Sequence, residues 1–233
     1  MEEEVKVIEE KPKKKRNIKK LIIALVIVAI ILGGGYYFLF TSTVVKVPFT
    51  NADYESFRTK SGVQKPELFV QALTNNLPVV KTVTVEQSIT MAEVNAIISK
   101  GFVESGMLER IGIRFIDNKT VEISATVGDN VDDLMDMFKV PTEYRKYGDW
   151  AKGKSVYIKG SNIEYLGNNS FKGDIAAAQI GHLSLPIFKD YAYDAFDAVN
   201  KKLPDINGFD MDKISFGSNG VYFKGTIPDL GTN

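Results

Sequence analysis

The 233-residue chain contains no cysteine, one histidine and one tryptophan, and its 29 Lys/Arg and 29 Asp/Glu cancel to zero net charge. Without thiols there is no disulfide framework, no thiolate zinc site, no cysteine nucleophile and no acylated cysteine of a bacterial lipoprotein. His182, the single imidazole, has no nucleophile motif or carboxylate at a recognised spacing and reads as a structural or surface side chain. Phosphate-cradling glycine loops of the GxxxxGK(S/T) and GxGxxG types are missing, as is a GxSxG elbow. Nothing singles out a carboxylate pair for glycoside chemistry. The expectation is a protein that is not an enzyme, with no cofactor, no metal, no nucleotide and no nucleic acid as partner.

What is present is an uneven distribution of charge. Residues 1–20 hold eight Lys/Arg against five Glu, leaving 21 against 24 in the remainder. Lys13, Lys14, Lys15, Arg16, Lys19 and Lys20 stand directly before Leu21–Phe40, 20 residues without a charged side chain. A helix of that length spans ~30 Å, the thickness of a bilayer's hydrocarbon. A cleaved signal would have a shorter apolar region and a small-x-small site, whereas this run ends in Tyr36, Tyr37 and Phe38, the aromatics of an interfacial belt. The basic end stays in the cytoplasm, so the chain reads as a cell-membrane protein with its C-terminal part extracytoplasmic. Gly33, Gly34 and Gly35 lack small-xxx-small spacing and read as a flexible exit.

Beyond the anchor, Thr43–Phe49 is β-branched and reads as a strand, Asn51–Lys65 as a connection, and Pro66 opens a helix with Leu68, Phe69, Ala72 and Leu73 on one face. Val79 to Val85 reads as a strand. Thr90 with Glu93 is a capping box, Ile89 with Val94 its hydrophobic staple, and Val94, Ile97, Ile98 and Phe102 form one apolar stripe, so a helix is expected over Met91–Phe102. Ile111, Ile113 and Phe115, then Val121, Ile123, Ala125 and Val127, alternate with polar residues around Asp117–Asn118: a hairpin with one buried face. Asp129, Asp132, Asp133 and Asp136 lack EF-hand spacing and fit the start of a helix that buries Val131, Leu134, Met135 and Phe138. The stretch Pro141–Trp150 carries Tyr144, Tyr147 and Trp150 and is a candidate partner loop.

Strands are expected over Ser155–Lys159, Asn162–Leu166 and the run from Phe171. Alanines 176–178 require something bulky against them, a helix or a ligand. Pro186 opens a helix with Phe188, Tyr191, Ala192, Ala195 and Val199 at helical spacing, ending near Leu203 and Pro204. Asn219–Gly220 signals a closing hairpin. Val94, Ile97, Ile98, Phe102, Phe188 and Tyr191 are the candidate lining of an apolar groove, though a filled core would use the same residue types.

The segment Gly181-x-Leu183-x-Leu185-Pro186, followed by a helix, Leu203–Pro204 and a β-hairpin, resembles the YpmS-like single-pass membrane proteins of Gram-positive bacteria. SITMAEVNAII is similar to the helix that begins their soluble domain and that of related TULIP-like lipid-binding proteins. The resemblance implies an α+β fold in which a curved antiparallel sheet packs on amphipathic helices and leaves an apolar groove, with no catalytic residue to transfer. The chain then divides into a cytoplasmic tail (1–20), a transmembrane helix (21–40), a leading extracytoplasmic segment (41–85), a YpmS-like domain (86–228) with an insertion near 129–152, and a tail (229–233). The expected function is non-enzymatic lipid binding or handling in the cell envelope, with membrane lipid as partner. The alternative is an interaction module that docks another envelope protein through Tyr144, Tyr147 and Trp150.

Overall fold

The computed structural model describes residues 43–73, 77–137, 142–146, 148–184 and 186–230. The expected membrane helix and cytoplasmic tail lie outside these residues. Among the described residues no helix is long and apolar enough to cross a membrane.

The chain is α+β, and several elements depart from the sequence reading. Thr43–Phe49 has no regular secondary structure. It is pinned across a sheet instead: Val45 N–H donates to Ser124 Oγ at 2.8 Å. The stretch read as a connection contains helix α1, Asn51–Ser61, whose Asp53 carboxylate accepts from the Thr50 N–H and hydroxyl at 2.7 and 2.9 Å. Its buried residues Tyr54, Phe57 and Ser61 recur at helical spacing, and Gly62 ends it at φ +74°. Helix α2, Leu68–Ala72, is a single turn and a half after Pro66.

Strand β1, Val79–Thr90, runs straight into helix α3, Met91–Glu104, so the 85/86 boundary between leading segment and domain falls inside one strand. The capping box forms: Glu93 N–H donates to Thr90 Oγ1 at 3.2 Å and Thr90 N–H to Glu93 Oε2 at 2.8 Å. Strands β2, Leu108–Phe115, and β3, Val121–Val127, make the expected hairpin, with Asp117 accepting from Lys119 N–H in its turn. The insertion carries three short helices, α4 (Val131–Met137), α5 (Thr142–Arg145) and α6 (Gly148–Ala151).

Strand β4 is continuous from Ser155 to Gly167, passing through Gly160 and Ser161, where a break was the expectation. It turns into β5, Ser170–Ile180, through Asn168 and Asn169, both left-handed. Helix α7 spans Pro186–Lys202. Strands β6, Asp210–Gly217, and β7, Gly220–Leu230, pair Gly217 with Gly220, so Ser218–Asn219 is the two-residue loop and Gly220 opens the strand. Asp229 and Leu230 belong to this sheet and not to a tail: buried Asp229 accepts from Gln64 N–H at 3.0 Å.

Two antiparallel sheets stand where the resemblance implies one, with orders β1-β7-β6 and β2-β3-β4-β5. They meet through aromatic rings and not through a ladder: Phe115 stacks on Phe216 with centroids 5.2 Å apart, and Phe171 lies 6.2 Å from the same ring. The core of the smaller sheet is Phe57, Val63, Val85, Ile89, Met211, Phe223 and Ile227. Each such burial contributes about 1.5–3 kcal/mol.

Asparagine amides take up one peptide position on three of the four sheet edges. Asn95 on α3 bonds both the N–H and the C=O of Ile113 on edge strand β2, each at 2.8 Å. Asn200 on α7 does the same for Phe171 on edge strand β5, at 3.0 and 2.7 Å. Asn169 bonds Phe209 O and Met211 N–H along edge strand β6, at 3.0 and 2.7 Å. A side-chain amide carries a donor and an acceptor side by side and so replaces one peptide of a missing neighbour strand.

Candidate functional site

The register of the larger sheet sets its side chains in rows. Ile113, Ile123, Ile158 and Ala178 form one row across four strands, and Ile111, Ala125, Val156 and Ile180 the next. Paired residues share a face, so both rows are apolar on the same side. Helix α7 covers one end of this face, where Ile175, Ala178 and Ala192 are buried together with Ile158 and Phe188 against them. Helix α3 and its neighbours cover the other end, Phe102 packing with Val70, Met107, Leu108, Ile111 and Ala125.

Between the two helices the face is incompletely covered. On β3, an interior strand, the polar residues Glu122, Ser124 and Thr126 are buried at 7%, 5% and 6% exposure, while Val121, Ile123 and Ala125 remain only half-buried. That inverts the ordinary order of burial. The departure from the sequence reading is confined to β3: on β2 the apolar side stays the more deeply buried, with Phe115 buried and Arg110 and Arg114 exposed.

The polar face is covered by the segment Thr43–Phe49. Val45 bonds Ser124, and a Cβ at Gly112 would stand 2.2 Å from Val45 O, so only glycine admits the segment there. Glu122 is neutralised in place: Arg114 bonds it, Tyr157 donates its hydroxyl at 3.0 Å, and Lys159 lies 3.7 Å away. Burial pushes the Glu122 carboxyl up, but these three partners together hold it below the usual carboxylate range. Burial and the bond to Glu122 push Tyr157 up to about 12. These groups serve the fold, each already committed to a partner.

The six side chains read as a groove lining do not converge on one wall. Val94 and Ile97 face the core of the smaller sheet. Phe102 and Phe188 close opposite ends of the apolar face. Ile98 is half-buried on α3, and Tyr191 is 42% exposed on α7. Ile113, Ile123 and Ile158, the middle of the face, lie on expected strands, but register across four strands cannot be read from one strand's period, so the sequence does not bring them into one row. Of the alanines, Ala178 is the one packed under the helix, while Ala176 is exposed.

Gly181, Leu183 and Pro186 form a turn between β5 and α7. Gly181 has φ +60° and donates to Ser155 O at 2.7 Å, Leu183 bridges back to Ile180, and Pro186 opens the helix. Leu185 lies outside the described residues. In the partner loop, Tyr144 belongs to α5, Tyr147 lies outside the described residues, and Trp150 is 47% exposed with Lys154 Nζ 4.0 Å from its ring centre. One ring face is thereby occupied. Asp132 and Asp133 sit in the first turn of α4, and among the described residues no group of three or more His, Asp or Glu is placed to hold a metal ion.

A cleft of about 380 Å³ opens at the β6–β7 turn beside Ile89, Phe216 and Val221. Phe216 in its wall stacks on Phe115, which neighbours Ile113 on the apolar face of β2. Comparison with known proteins finds no match: no family model, no curated protein and no solved structure is similar to this chain.

Proposed function

We propose that this chain is a membrane-anchored, non-enzymatic lipid-binding protein of the cell envelope, with Leu21–Phe40 as its anchor and the α+β unit outside the cell. It belongs with the YpmS-like and TULIP-like proteins that its Gly181–Pro186 segment resembles. The carrying observation is the half-buried row Ile113–Ile123–Ile158 between α3 and α7, whose central member Ile123 stands on an interior strand with its polar side the better covered. An acyl chain laid along this row removes apolar surface from water on both partners, about 0.8 kcal/mol for each methylene buried. With no catalytic constellation beside it among the described residues, such a site holds or passes a lipid without changing its bonds.

The test is copurification. Residues 41–233, expressed without the anchor and analysed by native mass spectrometry, are expected to carry lipid, and Ile123→Asp to abolish that mass. A wild-type protein that emerges free of lipid and takes up none from vesicles would overturn the proposal.

A further inference from the structure

On three sheet edges an asparagine amide takes up one peptide position; the fourth, the outer edge of β1, has no such partner among the described residues. The phase of its ladder follows from one bond. Met91 N–H donates to Asn219 O at 3.1 Å, one step beyond the β1–β7 register that pairs Ile89 with Val221 and Lys81 with Asp229. Odd-numbered residues of β1 therefore exchange bonds with β7, and the N–H and C=O of Thr82, Thr84, Glu86 and Ser88 point away from the sheet. All four residues are exposed, and no bond from them to another element exists among the described residues beyond the Glu86 carboxylate's contacts with Tyr222 and Lys224. Eight of the twelve residues in β1 are Val, Ile or Thr, and the strand contains no proline. Native edges of this kind are normally blunted; on β1 the bulge between Val79 and Lys81 and the Lys81 charge lie at the start of the strand and leave Thr82–Ser88 regular.

We infer that two copies of this chain pair through β1, antiparallel about a two-fold axis at Thr84, joining their three-stranded sheets into one of six strands. The occupant is a second copy because the strand is complementary to itself in this register. Within the regular part of the strand, Thr84 meets Thr84 and Thr82 meets Glu86 on one face, while Val83 meets Val85 and Lys81 meets Gln87 on the other. Val83 faces Val85, the one charged pair member on each side faces an uncharged polar residue, and no like charges are opposed. Sliding by one pair either way sets Lys81 against Val85 or Ile89. In the chosen register the outward peptide groups of Thr82, Thr84 and Glu86 supply about six intermolecular hydrogen bonds. The inference does not rest on the lipid reading, since β1 lies in the other sheet.

The full chain, solubilised in detergent, is expected to have the mass of two copies. Because it lacks cysteine, Thr84→Cys alone should form a disulfide-linked dimer on mild oxidation, the paired Cα atoms lying ~5.5 Å apart, within disulfide range. Thr226→Cys, on the same face of β7, should not, since its copies stand roughly 15 Å apart. Thr84→Pro removes an N–H that takes no part in the β1–β7 ladder, and Thr84→Lys sets two cations on the axis. Both should halve the mass while the circular dichroism and melting temperature stay those of the parent. A monomeric parent, a mass unchanged in both variants, or cross-linking at Thr226 equal to that at Thr84 would each overturn the inference.

Discussion

The amide of Asn95 donates to Ile113 O and accepts from Ile113 N–H, both at 2.8 Å, and its second N–H bonds Met91 O at the same distance. At 2% exposure no water replaces a lost partner. Asn95→Ala should therefore cost about 2–4 kcal/mol in denaturant unfolding, three bonds lost and two buried peptide groups orphaned. Asn95→Asp keeps the acceptor but sets a carboxylate against two carbonyls, which raises its pKa in the folded state. Its deficit should accordingly grow as pH rises from about 4 toward 7. Glu122 works in the opposite sense. Its folded pKa is lowered, so its contribution is present above the ordinary carboxylate range and is lost as pH falls through the folded value. Melting temperatures between pH 7 and pH 3 should drop less steeply for Glu122→Gln than for the parent, and an identical slope would contradict this account.

At the scale of elements, what was legible in the sequence is what is locally encoded. Helix α3 was readable because its cap, staple and stripe lie within 14 residues. Helix α1 carries the same kind of signal, Thr50 with Asp53 and then Tyr54, Phe57 and Ser61, hidden by a polar composition that masks a narrow buried stripe. The inverted burial of β3 was not legible, because its cover comes from Thr43–Phe49, about 80 residues upstream, and Val45 reaches Ser124 only in the folded chain. The asparagine edge contacts escaped for the same reason: nothing in the spacing of Asn95, Asn169 and Asn200 says that each amide meets a strand edge. The tight approach at Gly112 makes the upstream segment testable. Gly112→Ala places a methyl where Val45 O now sits, so the segment must lift away. Limited proteolysis should then cleave between Thr43 and Phe49 faster than in the parent, with the remaining fragment still resistant.

For the whole molecule, the question is whether the middle of the larger sheet is a filled core or an exposed apolar face, and the two differ in what a polar substitution does. Phe223 is buried at 5% within the core of the smaller sheet, and Phe223→Ala should cost about 3–5 kcal/mol. Ile123 occupies an equally interior strand yet is only half-buried. If solvent or lipid already reaches its side chain, Ile123→Asn loses little packing and should cost about 1 kcal/mol or less. If the side chain were enclosed, the same change would bury an unpaired amide and cost about 2–4 kcal/mol. The denaturant midpoint therefore reads the accessibility of the face directly, without knowledge of the ligand. Repeating it with vesicles of anionic phospholipid separates the occupants: lipid bound to the folded state raises the parent's midpoint by mass action and leaves that of Ile123→Asn where it was. A midpoint raised equally in both proteins would locate lipid contact elsewhere on the molecule and remove this face from the proposal.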